Sequence, residues 1–170
     1  MKINIVVVGN LKEKYLVDCE KEYLKRISRF HNIKIVEIPE EKLPKNYSPA
    51  DISKCLVKEG MKIENNLNGY VVAMDIEGSQ LDSVQFAQKI ENISLNYDTI
   101  TFLIGSSYGI SEDIKKKANL RLSFSKMTFP HQLFRVMLLE QIYRASTITN
   151  NIMYHKWGIY GWYRIYAVST

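Results

Sequence analysis

Five short aliphatic runs alternate with stretches of helical periodicity along this chain, and that alternation limits the fold more than any other feature. Lys2–Val8 is β-branched and stops at Gly9, which predicts a buried first strand. Over Lys12–Phe30 the residues Tyr15, Leu16, Cys19, Tyr23, Leu24 and Ile27 recur at helical spacing. Ile33–Ile38 is a second strand, stopped by Pro39 and followed by a polar loop to Pro49. Ser48 as cap and Pro49 as first helical residue open a helix to about Asn66. Tyr70–Ile76 is a third strand, closed by the turn Glu77-Gly78-Ser79. Asp82 and Gln85 have capping-box spacing and start a helix to about Asn92. Thr99–Ile104, a short helix from Ser111 to Ala118, Arg121–Phe124 and a long helix from Pro130 to Thr149 complete the pattern. In the long helix, Leu133, Phe134, Met137, Leu138, Gln141 and Ile142 define the expected apolar side. The whole predicts one α/β domain on a parallel sheet, with ligands beyond the carboxyl ends of the strands.

With 170 residues, 46% of them hydrophobic, such a domain can bury a full core without staples. Cys19 and Cys55 fit neither a disulfide framework nor a metal-ligand spacing, and the expected setting is a reduced cytoplasm. No apolar run approaches the roughly 20 residues of a membrane span, and no cleavage site follows the short apolar N-terminus. With His31, His131 and His155 as the only histidines, no metal site is expected. The chain lacks G-x-G-x-x-G after the first strand, a phosphate-binding G-x-x-x-x-G-K-[ST] loop and a G-x-S-x-G elbow. The net charge of +5 is uneven: residues 121–170 carry six Lys/Arg against Glu140 alone, while the first 120 residues balance. A basic end on a neutral body suits a polyanionic partner, as well as an ordinary solvated surface.

Three segments are richer in unusual residues than a core or a surface requires. Phe102–Gly109 is a strand running into a loop of small residues, whose free amides suit a ligand. Leu122–Gln132 mixes hydroxyls, aromatics, Lys126 and His131 between the last strand and the last helix. Gln132–Ala145 carries Arg135, Glu140 and Arg144, the last two spaced to pair on one helical face.

In this order, the segments resemble the RlmH family, trefoil-knotted methyltransferases of the SPOUT class that modify large-subunit ribosomal RNA. The resemblance is carried by VVVGNLKEKY (Val6–Tyr15), AMDIEG (Ala73–Gly78), FLIGSSYG (Phe102–Gly109), LSFSKMTFPHQLFRV (Leu122–Val136), LLEQIYRA (Leu138–Ala145) and YHK (Tyr154–Lys156). It implies a methyltransferase domain over residues 1–156 with a C-terminal knot, assembled as a homodimer. It implies S-adenosylmethionine as cofactor, held by Met74, Gly105, Phe124, Ser125, Lys126, Met127, Thr128 and Phe129. The implied reaction is methylation of N3 of a pseudouridine in 23S ribosomal RNA on the assembled ribosome. Arg135, Glu140, Arg144 and His155 are then the catalytic candidates, and Arg135, Arg144, Tyr154, His155 and Lys156 the RNA contacts.

Two departures from the family pattern support a rival reading, a catalytically weakened RNA- or ribosome-binding paralogue. Where the family loop reads Gly-Gly-Ser, this chain has Ser106, which costs of order 1 kcal/mol if that position needs positive φ. Residues 157–170 add an extension with five aromatic rings, expected to dock on the protein. A side chain at Gly105 is expected to fill ligand space.

Overall fold

Successive side chains of the aliphatic runs are claimed by two different cores. Ile3, Ile5 and Val7 join Ile100, Phe102 and Ile104 in one cluster, while Val6, Val8, Ala73 and Leu103 belong to another. A sheet buried on both faces needs helices on both, and parallel strands need crossover connections long enough to hold them. The structure, a computed structural model, describes residues 1–154. The strands are β1 (Lys2–Val8), β2 (Asn32–Ile38), β3 (Tyr70–Gln80), β4 (Thr99–Ile104) and β5 (Leu120–Ser123). The helices are α1 (Lys14–Ile27), α2 (Pro49–Glu64), α3 (Ser83–Ser94), α4 (Glu112–Lys117) and α5 (His131–Thr149).

All pairings are parallel, in the order β2-β1-β4-β3-β5. Helices α1, α3 and α5 cover one face, and α2 and α4 the other. Capping boxes at Ser48/Asp51 and Asp82/Gln85 start α2 and α3 where their sequences predict. The 170-residue chain thus forms its expected parallel α/β fold over the described part.

Two elements differ from expectation. Strand β3 does not stop at Ile76: its pairing with β5 breaks after Met74 and resumes at Ser79, so residues 75–78 bulge out. Gly78 permits this, since a Cβ there would lie 2.6 Å from the Arg121 carbonyl carbon and the Leu122 nitrogen. Helix α5 is buried along Arg135, Leu138, Leu139, Ile142 and Ala145, whereas Leu133 is 41% exposed. An arginine inside the buried stripe hid the stripe from a purely apolar pattern.

Leu138 has no exposed surface in the core between α5 and the sheet. Leu138→Ala should therefore cost roughly 2–5 kcal/mol in urea unfolding. A loss below about 1 kcal/mol would contradict this packing of α5.

Candidate active site

Three segments converge beyond the carboxyl ends of β4, β3 and β5: the loop 105–110, the bulge 75–78 and the crossing 124–130. They enclose a cleft of about 510 Å³. Its walls include Met74, Gly105, Phe124, Ser125, Met127, Thr128 and Phe129, seven of the eight residues the family resemblance assigns to the cofactor. The eighth, Lys126, is exposed and does not line the cleft.

Local chemistry shapes each wall. In the crossing, the Ser123 hydroxyl donates to the Ser125 carbonyl (2.9 Å), and the Met127 N–H donates to Ser125 Oγ (2.9 Å). These bonds hold a turn that no helix or strand stabilises. The crossing then enters α5 under the end of β4, where His131 Nε2 donates to the Gly105 carbonyl at 2.5 Å. One residue later, the Lys12 N–H donates to Gln132 Oε1 (2.8 Å), which ties the helix start to the segment after β1.

In the 105–110 loop, Ser106 and Gly109 exchange backbone hydrogen bonds of 3.1 and 2.8 Å. The positive φ of +93° falls on Gly109, and among the described residues the only non-glycine with positive φ is Asn151. Ser106 therefore carries no left-handed backbone cost, and this argument for a weakened cofactor site lapses. At Gly105 the physical reason for glycine also differs from expectation. A Cβ there would lie 2.2 Å from the Gly109 carbonyl oxygen and 2.6 Å from Ile110 Cγ1. The missing side chain makes room for the loop itself rather than for a ligand.

The bulge brings charge to the cleft. The Asp75 side chain is 5% exposed and lies 2.6 Å from Arg121 Nη2 and 3.3 Å from Lys115 Nζ. Burial, the largest single influence, pushes its carboxyl up. The bonds from Arg121, the Glu77 N–H and Lys115 together outweigh that and hold it below the ordinary value of 3.8. Asp75, Glu77, Lys115 and His131 line the cleft without having been singled out as ligands from the sequence. Asp75 and Glu77 do stand in the AMDIEG motif, and His131 in the motif that opens α5.

The remaining candidates lie elsewhere. Arg135 is 3% exposed, donates to Glu37 Oε1 (2.7 Å) and Glu20 Oε1 (2.9 Å), and so ties α5 to β2 and α1. Its charge is thus taken up by two carboxylates within the fold. Burial pushes the Glu20 carboxyl up, and Arg135 partly offsets this. Arg144 Nη2 pairs with Glu140 Oε1 at 2.5 Å, its guanidinium lies 5.0 Å from the Tyr154 ring centroid, and the Tyr154 hydroxyl donates to Glu140 (3.3 Å). Glu140 lines a second cavity of about 440 Å³ that shares Leu122, Phe124 and Phe129 with the first. The Glu140–Arg144–Tyr154 group is thus next to the cleft without forming its wall. His155, Lys156 and the 157–170 extension lie outside the described residues. Among those described, no group of three or more His, Cys, Asp or Glu is placed to hold a metal, and no helix is long and apolar enough to cross a membrane.

This fold, with a cleft closed by the crossing before its last helix, fits the class seen in comparison with known families. The family model described as "Predicted SPOUT methyltransferase" matches residues 1–155, and the chain belongs to that family. Curated relatives named ribosomal RNA large subunit methyltransferase H are similar to it over 92% of this chain and 100% of their own length. They include proteins of Malacoplasma penetrans (49% identical), Clostridium perfringens (48%) and Leuconostoc mesenteroides (46%).

Asp75 makes stability depend on pH. Its folded-state pKa is lowered, so its contribution is complete above the ordinary value of 3.8 and is lost as pH falls through the lower folded value. Asp75→Asn should flatten the acid limb of melting temperature against pH and lower the melting temperature at neutral pH. An acid limb as steep as the parent's would show that another carboxylate controls it.

Proposed function

We propose that this chain transfers the methyl group of S-adenosylmethionine to N3 of a pseudouridine in 23S ribosomal RNA on the assembled ribosome. The observation that carries the reading is the convergence of Met74, Gly105 and the 124–129 crossing on one cleft, in a chain of the SPOUT methyltransferase family. The relatives' names supply the substrate class.

The cleft has the chemistry such a cofactor needs. Met74, Leu122 and Phe124 offer apolar surface for a flat heterocycle, and the 105–110 loop offers backbone polar groups. The hydroxyls of Ser125 and Thr128 and the Asp75 and Glu77 carboxylates offer oxygen to a sulfonium, and the lining cation Lys115 is paired with Asp75 and Glu112. When bound, S-adenosylmethionine supplies an electrophilic methyl carbon. The protein must place N3 in line with it and stabilise the anion left when N3 gives up its proton. Arg144 has the charge for the second task, and Glu140 and Tyr154 hold its guanidinium in place. His155 and Lys156 are the residues the resemblance offers to take the proton and to meet phosphate. The working protein is a cytoplasmic homodimer in this reading, with the C-terminal segment knotted through its loop.

The direct test is methyl transfer from labelled S-adenosylmethionine to ribosomes that lack the modification. Incorporation at the pseudouridine supports the proposal, and cofactor binding without incorporation favours the weakened paralogue. Arg144→Ala should lower kcat by about 100-fold, the scale of losing one donor to a developing anion, while calorimetry shows nearly unchanged cofactor affinity. Equal loss of both would place Arg144 in the cofactor site.

A further inference from the structure

Residues 40–64 hold five acids and five lysines, and the fold distributes the two signs unevenly over the segment. Glu41 pairs with Lys62 (2.5 Å), and Glu64 pairs with Lys117. Asp51 accepts the Ser48 N–H (3.0 Å) in the α2 capping box. Glu59 is 2% exposed and accepts the Glu41 N–H (2.9 Å). Glu41 and Glu64 are thereby paired with lysine, while Asp51 is turned into the helix cap and Glu59 into the interior. Lys42, Lys45, Lys54 and Lys58 are all exposed and form no ion pair among the described residues.

These lysines share a location. Lys54 and Lys58 are one helical turn apart on α2. Cys55, beside Lys54, contacts the Lys42 carbonyl through Sγ at 4.0 Å, which brings the 39–48 loop onto the same helix. Two residues past Lys45, the Tyr47 ring meets Tyr108 edge-on, with centroids 5.9 Å apart. Tyr108 lines the cleft, and the two rings are 49% and 43% exposed. By contrast, Arg121, Arg135 and Arg144, three of the cations in the basic C-terminal end, are bonded to acids of this chain. Unpaired cations and exposed rings leading to a reaction cleft are the features that hold single-stranded nucleic acid.

We infer that the 39–48 loop and the exposed side of α2 form a track for single-stranded RNA, with Lys42, Lys45, Lys54 and Lys58 on phosphates and Tyr47–Tyr108 stacking bases at the cleft mouth. The inference rests on the proposed RNA-methyltransferase reading and adds to it where the substrate strand enters.

The test uses the full chain with Lys42, Lys45, Lys54 and Lys58 all changed to Gln, exposed positions at which folding should persist. Its KM for unmodified ribosomes should rise about tenfold or more, while kcat and S-adenosylmethionine affinity stay at parental values. Binding of a labelled oligouridylate should lose salt dependence, the log–log slope falling by about 0.7 for each phosphate contact removed. In Tyr47→Ala, affinity should fall roughly five- to tenfold with that slope unchanged, as stacking requires. Parental KM and slope in the lysine variant would overturn the track. A raised KM with an unchanged oligouridylate slope would also overturn it, because the partner would then be an acidic protein. If the parent methylates no ribosome yet binds oligouridylate through these lysines, the proposed reaction fails and the track stands.

Discussion

The hydrogen bond from His131 to the Gly105 carbonyl is the contact on which the site's geometry depends. β5 lies at one edge of the sheet, yet α5 packs between α1 and α3 against the face formed by β1, β3 and β4. The chain must therefore cross over the ends of β3 and β4, and residues 124–130 do so without regular backbone bonding. A free crossing of that kind would sample many positions at a considerable entropy cost. His131 fixes its far end to the β4 loop, and the Gln132 bond to Lys12 fixes it to the segment after β1. The near end is held by Ser123 and Ser125. The cleft is what lies between these anchors.

Charge is arranged with the same economy. Among the described residues, three arginines of the basic end read from the sequence are bonded to acids of this chain. Arg121 joins the bulge to β5, Arg135 joins α5 to α1 and β2, and Arg144 is held by Glu140 beside Tyr154. Around Asp75 the two cations compensate its burial and keep its carboxyl ionised at the cleft. Among the exposed lysines that form no ion pair in the described residues are four on α2 and the loop before it, where Glu41 pairs with Lys62, Asp51 caps the helix and Glu59 is buried. A formal count along the chain cannot reveal this, since pairing depends on which elements the fold brings together.

The strands and helices were legible because each carries a local signal. β-Branched runs end at glycine or proline, and the Ser48 and Asp82 caps mark helix starts. The bulge in β3 was not legible, because Glu77-Gly78-Ser79 reads equally well as a turn; only the close approach of β5 to Gly78 distinguishes the two. The buried face of α5 was obscured by Arg135, whose two carboxylate partners are 98 and 115 residues away in sequence. At the site, the family motif located the cleft walls. It did not explain Gly105, whose neighbour in space is the loop's own Gly109, or foresee that Ser106 would take an ordinary backbone conformation.

The central claim is that the 105–110 loop and the 124–129 crossing act as two walls of one cofactor site. Amide hydrogen exchange with and without S-adenosylmethionine tests this directly. The account predicts slowed exchange in both segments at the same cofactor concentration, with the exposed side of α2 unchanged. Protection confined to one segment, or centred on the neighbouring cavity around Met137 and Gln141, would contradict it.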